Sequence, residues 1–259
     1  MVAKLHKILT VVVGAASILL MPGLEALKNQ PNQSFSWQTA AWANTPFQYA
    51  PPNRGTPKRT QGTGSRGCNQ SLPVSLNLLV PNDHNGQTIS GHPTFYWYVS
   101  DKVSVPVEFA LVQPGVAKPL FVQQIQVEKG GMMQVTLPKT LPELATGQKY
   151  RWSVSLVCDS NRPSNNVFVQ SWIERVSANA DLTRNISALQ ANGNPTNLLQ
   201  EQGRIYARAG LWYNALEAFF SSYTANPNDP SSKADFLSLL EQGGLTQISA
   251  TERQRLASQ

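Results

Sequence analysis

Leu144-Ala145-Thr146-Gly147-Gln148-Lys149-Tyr150-Arg151-Trp152-Ser153-Val154-Ser155-Leu156-Val157-Cys158 is the stretch on which the fold turns. From Tyr150 onward every second residue is apolar. Tyr150, Trp152, Val154, Leu156 and Cys158 share one face, and Arg151, Ser153 and Ser155 share the other. Side chains alternate across a β-strand, so a period of two marks a strand buried on one side. The same period recurs upstream. Leu72, Val74, Leu76, Leu78 and Val80 alternate with Ser75 and Asn77 in a first strand, and Phe95 and Trp97 mark a second. Val107, Phe109 and Leu111 alternate with Glu108 in a third. Phe121, Ile125 and Val127 mark a fourth, and Met133, Val135 and Leu137 a fifth. The stretch from Tyr150 is the sixth, and a seventh covers about Asn166 to Ile173.

Turn residues separate these runs: Pro81-Asn82-Asp83, Gln113-Pro114-Gly115, Gly130-Gly131 and Arg162-Pro163-Ser164. Seven short strands with no helix between them predict an antiparallel β-sandwich. Leu144 to Tyr150 resembles the tyrosine-corner loop of fibronectin type III and related immunoglobulin-like sandwiches. There, the Tyr that opens the penultimate strand hydrogen-bonds back to the preceding loop. Pro93-Thr94-Phe95-Tyr96-Trp97 resembles the second strand of such domains, with its Trp as a core plug. The resemblance is one of pattern and implies a fold, not an activity. Trp97 and Trp152 are therefore read as core rather than as a ligand platform.

Past Arg175-Val176 the period becomes 3.6. Asp181 to Leu189 reads as a weak helix. Thr196 or Asn197 caps a second, with Leu198, Leu199, Ile205 and Tyr206 on its apolar stripe. Gly210 breaks it, a third runs from about Leu211 to Thr224, and a fourth from about Ser231 to Gln242 ends at Gly243-Gly244. Gly203, Tyr206, Gly210, Trp212, Ala215, Phe219 and Pro227 stand where a tetratricopeptide repeat places its small, aromatic, turn and terminal residues, and the hairpin resembles one such repeat. Gln202 departs from that pattern. One repeat cannot bury its own face, because such arrays usually need about three. The hairpin therefore docks on the sandwich, meets another protein, or both. Adjacent helical residues lie about 100° apart. Trp212 is expected to be buried against Tyr206 or Phe219, and Tyr213 to be the more exposed. Tyr206, Trp212 and Tyr213 are the candidate partner-binding residues.

The beginning of the chain reads as an export signal. Lys4 and Lys7 precede an uncharged run from Ile8 to Met21, which is shorter than the ~20 residues a spanning helix needs. Ala41-Trp42-Ala43 is a candidate cleavage site, which would start the mature chain near Asn44. The alternative is an uncleaved N-terminal anchor. Cleavage implies a periplasmic or extracellular protein without stable membrane insertion. Charged residues make up 14% of the chain, below the usual quarter, and 17 Gly and 18 Pro suit a loop-rich β protein. The net charge of +6 shrinks when Lys4, Lys7 and Lys28 leave with the signal. Arg54, Lys58, Arg59 and Arg66 form a basic cluster in a Pro/Gly-rich segment, which reads first as a solvated, disordered linker. A tether to an acidic polysaccharide or membrane surface is the other reading. The cluster lacks the interleaved aromatics of a nucleic-acid groove, so nucleic acid is not expected as a partner.

Cys68 and Cys158 are the only cysteines. Export and an even count point to a disulfide. The closed loop of about 90 residues would stabilise the fold by roughly 4–5 kcal/mol through loop-closure entropy. Two buried thiols are the alternative. No metal site is expected, because His84 and His92, the histidines left after cleavage, have no partner at ligand spacing. Gly62-Thr63-Gly64-Ser65-Arg66-Gly67 matches a dinucleotide fingerprint in letters only. It follows polar, Pro-rich chain and runs into a strand, whereas the fingerprint needs a strand before it and a helix after. No nucleophile elbow, Walker loop or zinc-protease motif occurs. The expectation is a protein without catalytic activity or cofactor, in which Asp83-His84 is turn chemistry.

Several motifs in order carry a wider resemblance. They are Gly62-Thr63-Gly64-Ser65-Arg66, Cys68, Pro93-Thr94-Phe95, Tyr150-Arg151-Trp152, Leu156-Val157-Cys158-Asp159, Trp172-Ile173-Glu174-Arg175-Val176, and Tyr206-Ala207 through Gly210, Trp212-Tyr213 and Ala215-Leu216. Together they resemble a cyanobacterial family described as a domain of unknown function, number 928, over about residues 60 to 250. The resemblance implies an exported protein and assigns no activity or site residue. The expected organisation is α+β: a signal over 1–43, a linker over 44–67, an antiparallel sandwich over 68–176 and a small helical region over 177–259. The expected role is cell-envelope binding or scaffolding through a protein partner on the helical region, with envelope polysaccharide binding by the sandwich as the alternative.

Overall fold

The computed structural model describes residues 47–51, 60–62 and 74–257. Strands β2 (Leu76–Leu78), β4 (Thr94–Val99) and β7 (Gly131–Thr136) form a three-stranded sheet in that order. The larger sheet runs β1 (Thr60–Gly62), β9 (Val167–Arg175), β8 (Lys149–Leu156), β5 (Val103–Val112), β6 (Phe121–Val127), and β3 (Gly86–Thr88) also pairs with β9. The seven strands expected from the period of two are β2 and β4 to β9, divided three and four between the sheets. The fold class is α+β, as expected.

The stretch that opened the reading forms β8. Tyr150, Trp152, Val154 and Leu156 are buried, and Arg151 points the other way and is exposed. The tyrosine corner is formed: the Tyr150 hydroxyl accepts a 2.8 Å hydrogen bond from the Ala145 backbone N–H. Gly147, at φ +77°, gives the loop its left-handed turn. Arg175 ties this corner down through the Leu144 carbonyl and a 2.8 Å ion pair to Glu143. In β5, Pro106 falls inside the register shift between Val103 and Val107, where its missing N–H costs no ladder bond.

Five helices follow: α1 (Ala180–Asn192), α2 (Leu198–Arg208), α3 (Trp212–Ala225), α4 (Pro230–Gln242) and α5 (Thr246–Ala257). Asn179 caps α1 by accepting from the Leu182 N–H. Asp229 caps α4, with Pro230 in its first turn. Hydrogen bonds, above all from Ser232, hold the Asp229 carboxyl down to about 2. Gly210, at φ +75°, makes the turn between α2 and α3.

The smaller sheet is the middle layer of three. Phe95 of β4 faces Phe109 and Trp152 of the larger sheet at ring separations of 5.0 and 5.1 Å. On the opposite face of β4, Tyr96 meets Phe220 of α3 at 5.2 Å and the Thr94 hydroxyl donates to Glu217 at 2.8 Å. All six residues of β4 are therefore buried. Burial also pushes the Tyr96 phenol well above its ordinary value, with the Glu217 charge adding to the effect.

Three expectations need correction. The sheet is not wholly antiparallel, because β3 runs parallel to β9. Of the strand expected over Leu72 to Val80, the described strand residues are Leu76–Leu78; past them Leu79 still bonds the Tyr96 carbonyl of β4, and Leu79 and Val80 are both buried rather than alternating. The linker expected over 44–67 is ordered where described: Phe47 and Tyr49 are buried, and β1 lies in the larger sheet. The described helices pack on the sandwich in one compact unit, the docking that the sequence reading allowed. Cys68 lies outside the described residues, and so does the expected disulfide. Among the described residues no helix is long and apolar enough to cross a membrane.

Candidate functional site

The junction between α3 and the sandwich gathers most of the residues singled out from the sequence. Trp212, Tyr213 and Asn214 open α3 and all three are buried. The Trp212 indole donates to the Leu79 carbonyl at 2.9 Å. The Asn214 side-chain oxygen accepts from the Thr88 hydroxyl and the Ile89 N–H, both at 3.0 Å. Tyr213 reaches between the two sheets. Its hydroxyl accepts from the Trp152 indole at 2.8 Å and donates to the Trp172 carbonyl at 3.3 Å, while its ring meets the edge of Phe95 at 5.9 Å. Burial pushes the Tyr213 phenol well up, so it stays a neutral donor and acceptor. A β-carbon at Gly86 would come within 2.7 Å of the Tyr213 ring, which is why β3 begins with glycine.

This corrects the expectation for the hairpin. Tyr213 is 1% exposed and Trp212 0%. Tyr206, the third candidate, is half-buried and accepts a hydrogen bond from Gln202, which accounts for a polar residue at that position. Trp212 does not rest on the Tyr206 or Phe219 ring but meets the Tyr49 ring at 5.2 Å. The 100° argument assumed one buried face. Helix α3 is instead enclosed on nearly all sides, with nine of its residues buried, because it lies between sheet and helices. The close approach of α2 and α3 is as expected: a β-carbon at Gly203 would come within 2.6 Å of the Phe219 ring.

Sequence reading missed a second element of this junction. Residues 47–50 cross the helical layer as an extended segment, with Phe47 and Tyr49 buried and Gln48 and Ala50 exposed. Phe47 rests on Phe219 at 4.8 Å. The Tyr49 hydroxyl bonds His84 Nε2 at 2.6 Å, and His84 Nδ1 bonds the Asp83 carboxylate at 2.7 Å. Both ring nitrogens of His84 are therefore engaged, and the Tyr49 hydroxyl also lies 3.5 Å from the Gly210 carbonyl. This carboxylate–imidazole–phenol relay is enclosed at its phenol end, where Tyr49 is 4% exposed. It holds the segment in place, with the Asp83 carboxylate half exposed at its other end. His92 is engaged with the Leu141 carbonyl at 2.9 Å. Among the described residues no cluster of three metal-ligating side chains occurs.

Two further surfaces stand open. A cleft of about 550 Å³ lies between the β6–β7 turn and α3 and α5, lined by Lys129, Met132, Met133, Phe220, Tyr223 and Arg255. Arg255 there pairs with Glu252, itself 1% exposed. The other surface is the outer face of the larger sheet. Phe168, Gln170 and Trp172 of β9 stand opposite Ser155, Ser153 and Arg151 of β8, and Ser155 and Ser153 stand opposite Glu108 and Ala110 of β5. Val122 of β6 continues the Ala110 row. Phe168 is 37% and Val122 46% exposed. In the backbone register Gly62 of β1 pairs with Phe168.

Fold and junction together define a helix-capped β-sandwich whose buried polar groups serve packing. The chain belongs to the family described as Domain of Unknown Function (DUF928), whose model matches residues 61–253. No curated protein matches the chain.

Proposed function

We propose that this is an exported binding or scaffolding protein of the cell envelope, acting without catalysis, and that its partner surface is the outer face of the larger sheet rather than Tyr206, Trp212 and Tyr213. The observation that carries this reading is the asymmetry of the layers. Helices cover the smaller sheet, and the larger sheet keeps Phe168 and Val122 exposed on a face centred on small residues. Phe168 on β9 and Val122 on β6 are separated by two strands, with Ser153, Ser155, Glu108 and Ala110 between them, so the support is an uncovered sheet face rather than one continuous apolar patch. Export is inferred from the basic start at Lys4 and Lys7 and the uncharged run from Ile8 to Met21. An oxidising compartment would also let Cys68 and Cys158 pair.

The first occupant to test is an envelope protein. Affinity capture from native envelope should recover a partner with the wild-type chain and lose it with Phe168→Ser. Equal recovery by both would remove the sheet face from the reading. A second reading is favoured by β9, where Phe168 and Trp172 flank Gln170 on one face. Four strand residues span about 13 Å, a length over which two rings could stack on an extended envelope polysaccharide. Quenching of Trp172 fluorescence by purified glycan, absent in Trp172→Ala, would favour that reading over the first.

A further inference from the structure

Residues 47–50 make the contacts of a bound peptide rather than of a connecting loop. The Gln242 side-chain amide of α4 clamps the backbone from both sides, accepting from the Tyr49 N–H at 2.7 Å and donating to the Phe47 carbonyl at 3.2 Å. The Ala50 N–H donates at 3.1 Å to the carbonyl of Ala207, in the last turn of α2, where carbonyls lack intrahelical partners. These bonds read backbone, so they tolerate any side chain. Selection comes from two seats. Phe47 fills one against Phe219, and Tyr49 fills the other between the Trp212 ring, crossed at 71° and 5.2 Å, and the His84 ring, 5.5 Å away and stacked. The second seat also reads the phenol hydroxyl through His84 Nε2. Gln48 between them faces solvent and is not read. Main-chain bonds with alternate side chains in pockets are the means by which proteins recognise extended peptides.

We propose that the groove formed by α2, α3, α4 and the Leu79–His84 loop is a receptor site for an extended peptide with two aromatic residues two positions apart, the second a tyrosine. In this chain the site is filled in cis by Phe47–Ala50. It is separate from the sheet face and does not depend on the function proposed for it. A tethered ligand sees its own site at an effective concentration on the order of millimolar. Peptide from elsewhere therefore enters only when the tether is cut or the cis segment is weakened.

The test uses the full mature chain with a specific protease site introduced between Pro52 and Pro57, cut after folding. A fluorescein-labelled peptide spanning Asn44 to Pro51 is added and anisotropy read. The cut protein should take up the peptide saturably, and the uncut protein at least about tenfold more weakly. A peptide carrying Tyr49→Ala should bind the cut protein at least about tenfold more weakly, as loss of a buried anchor does. No uptake by cut protein that still melts cooperatively would overturn the proposal, as would equal uptake by the uncut chain or of the substituted peptide. Should the cut protein lose its cooperative melt, the uncut chain carrying Phe47→Ser and Tyr49→Ala decides: uptake of the wild-type peptide supports the site, and its absence overturns it.

Discussion

Strands β8 and β4 each send a tryptophan into the same core, yet their surroundings differ. Strand β8 alternates, with Trp152 inward and Arg151 and Ser153 on the open face. Strand β4 has no open face, since Thr94, Tyr96 and Tyr98 are buried on the helical side. The two indoles differ as well. Trp152 donates to Tyr213, a residue of the helical layer. Trp97 is stacked over Phe109 with its indole N–H buried and without a hydrogen-bond partner among the described residues. The lesson is that the helices are part of the sandwich core. One core tryptophan has its polar atom satisfied only because α3 docks.

Truncation is the strongest way to break the comparison. Trp152→Ala should cost about 3–5 kcal/mol as a large-to-small core substitution, read as a drop in denaturant midpoint. A midpoint left unchanged would place Trp152 outside the core.

A gentler pair separates the two indoles. Trp152→Phe keeps a ring but removes the donor to the buried Tyr213 hydroxyl. Trp97→Phe removes a donor that has no partner. The Tyr213 hydroxyl keeps the Trp172 carbonyl as its acceptor, so Trp152→Phe forfeits one hydrogen bond, about 0.5–1.5 kcal/mol, whereas removing a donor already unsatisfied recovers part of its burial cost. Trp152→Phe should therefore be the more destabilising by at least about 0.5–1.5 kcal/mol, although both lose similar volume. Equal losses would mean that the Trp152–Tyr213 bond contributes nothing to the docking of α3. Trp152→Phe combined with Tyr213→Phe should be less than additive, as residues sharing one hydrogen bond are.

The one-sided strand was legible in the sequence and the two-sided one was not. Tyr150 announced its corner because a turn glycine and a tyrosine at fixed spacing are local chemistry. Strand β4 was read through Phe95 and Trp97 alone, although Thr94-Phe95-Tyr96-Trp97-Tyr98-Val99 is a near-continuous apolar run, the mark of a strand covered on both faces. The helices that cover it lie more than a hundred residues away, and no local period reports them. Strand β3 escaped for the same reason: three residues, Gly-Gln-Thr, carry no period, and their parallel pairing with β9 is set by tertiary packing. Phe47 and Tyr49 did alternate, but their Pro-rich setting suggested linker. The positions of α1 to α4 are legible because caps and turn glycines are local, whereas α5, Thr246–Ala257, is mostly polar and shows no apolar stripe. The burial of Tyr213 did not follow from them, because it depends on what covers the other side of α3.

In the helical layer the comparison is sharpened by Gly203. Alanine in a helix interior is favoured over glycine by about 1 kcal/mol. Overpacking a filled core costs about 1–3 kcal/mol, and the added β-carbon meets the Phe219 ring that also seats Phe47. The steric loss should win, so Gly203→Ala lowers the thermal midpoint despite its better propensity. A raised midpoint would mean that the hairpin has room to spare and that close packing of α2 on α3 is not what holds the layer.

A modest effect is expected on the open face of the larger sheet. Phe168 stands two residues from Gln170 and four from Trp172 on the side of β9 that no helix covers. It is 37% exposed against 2% for Tyr96, so a polar replacement gives up less buried area there. Phe168→Ser should cost about 1–2 kcal/mol, part of what a fully buried ring contributes. Tyr96→Ser, on the covered face of the smaller sheet, should cost more, because it empties a site against Phe220 and leaves the new hydroxyl in an apolar layer. If Phe168→Ser proved as costly as Tyr96→Ser, the outer face would be packed against something in solution, most simply a second copy of the chain. Sedimentation of the wild-type protein would then show a dimer that the variant loses. If Phe168→Ser costs clearly less than Tyr96→Ser and still abolishes capture of an envelope partner, the difference between the two faces is functional: helices close one sheet to finish the core, and the other sheet is left open to bind.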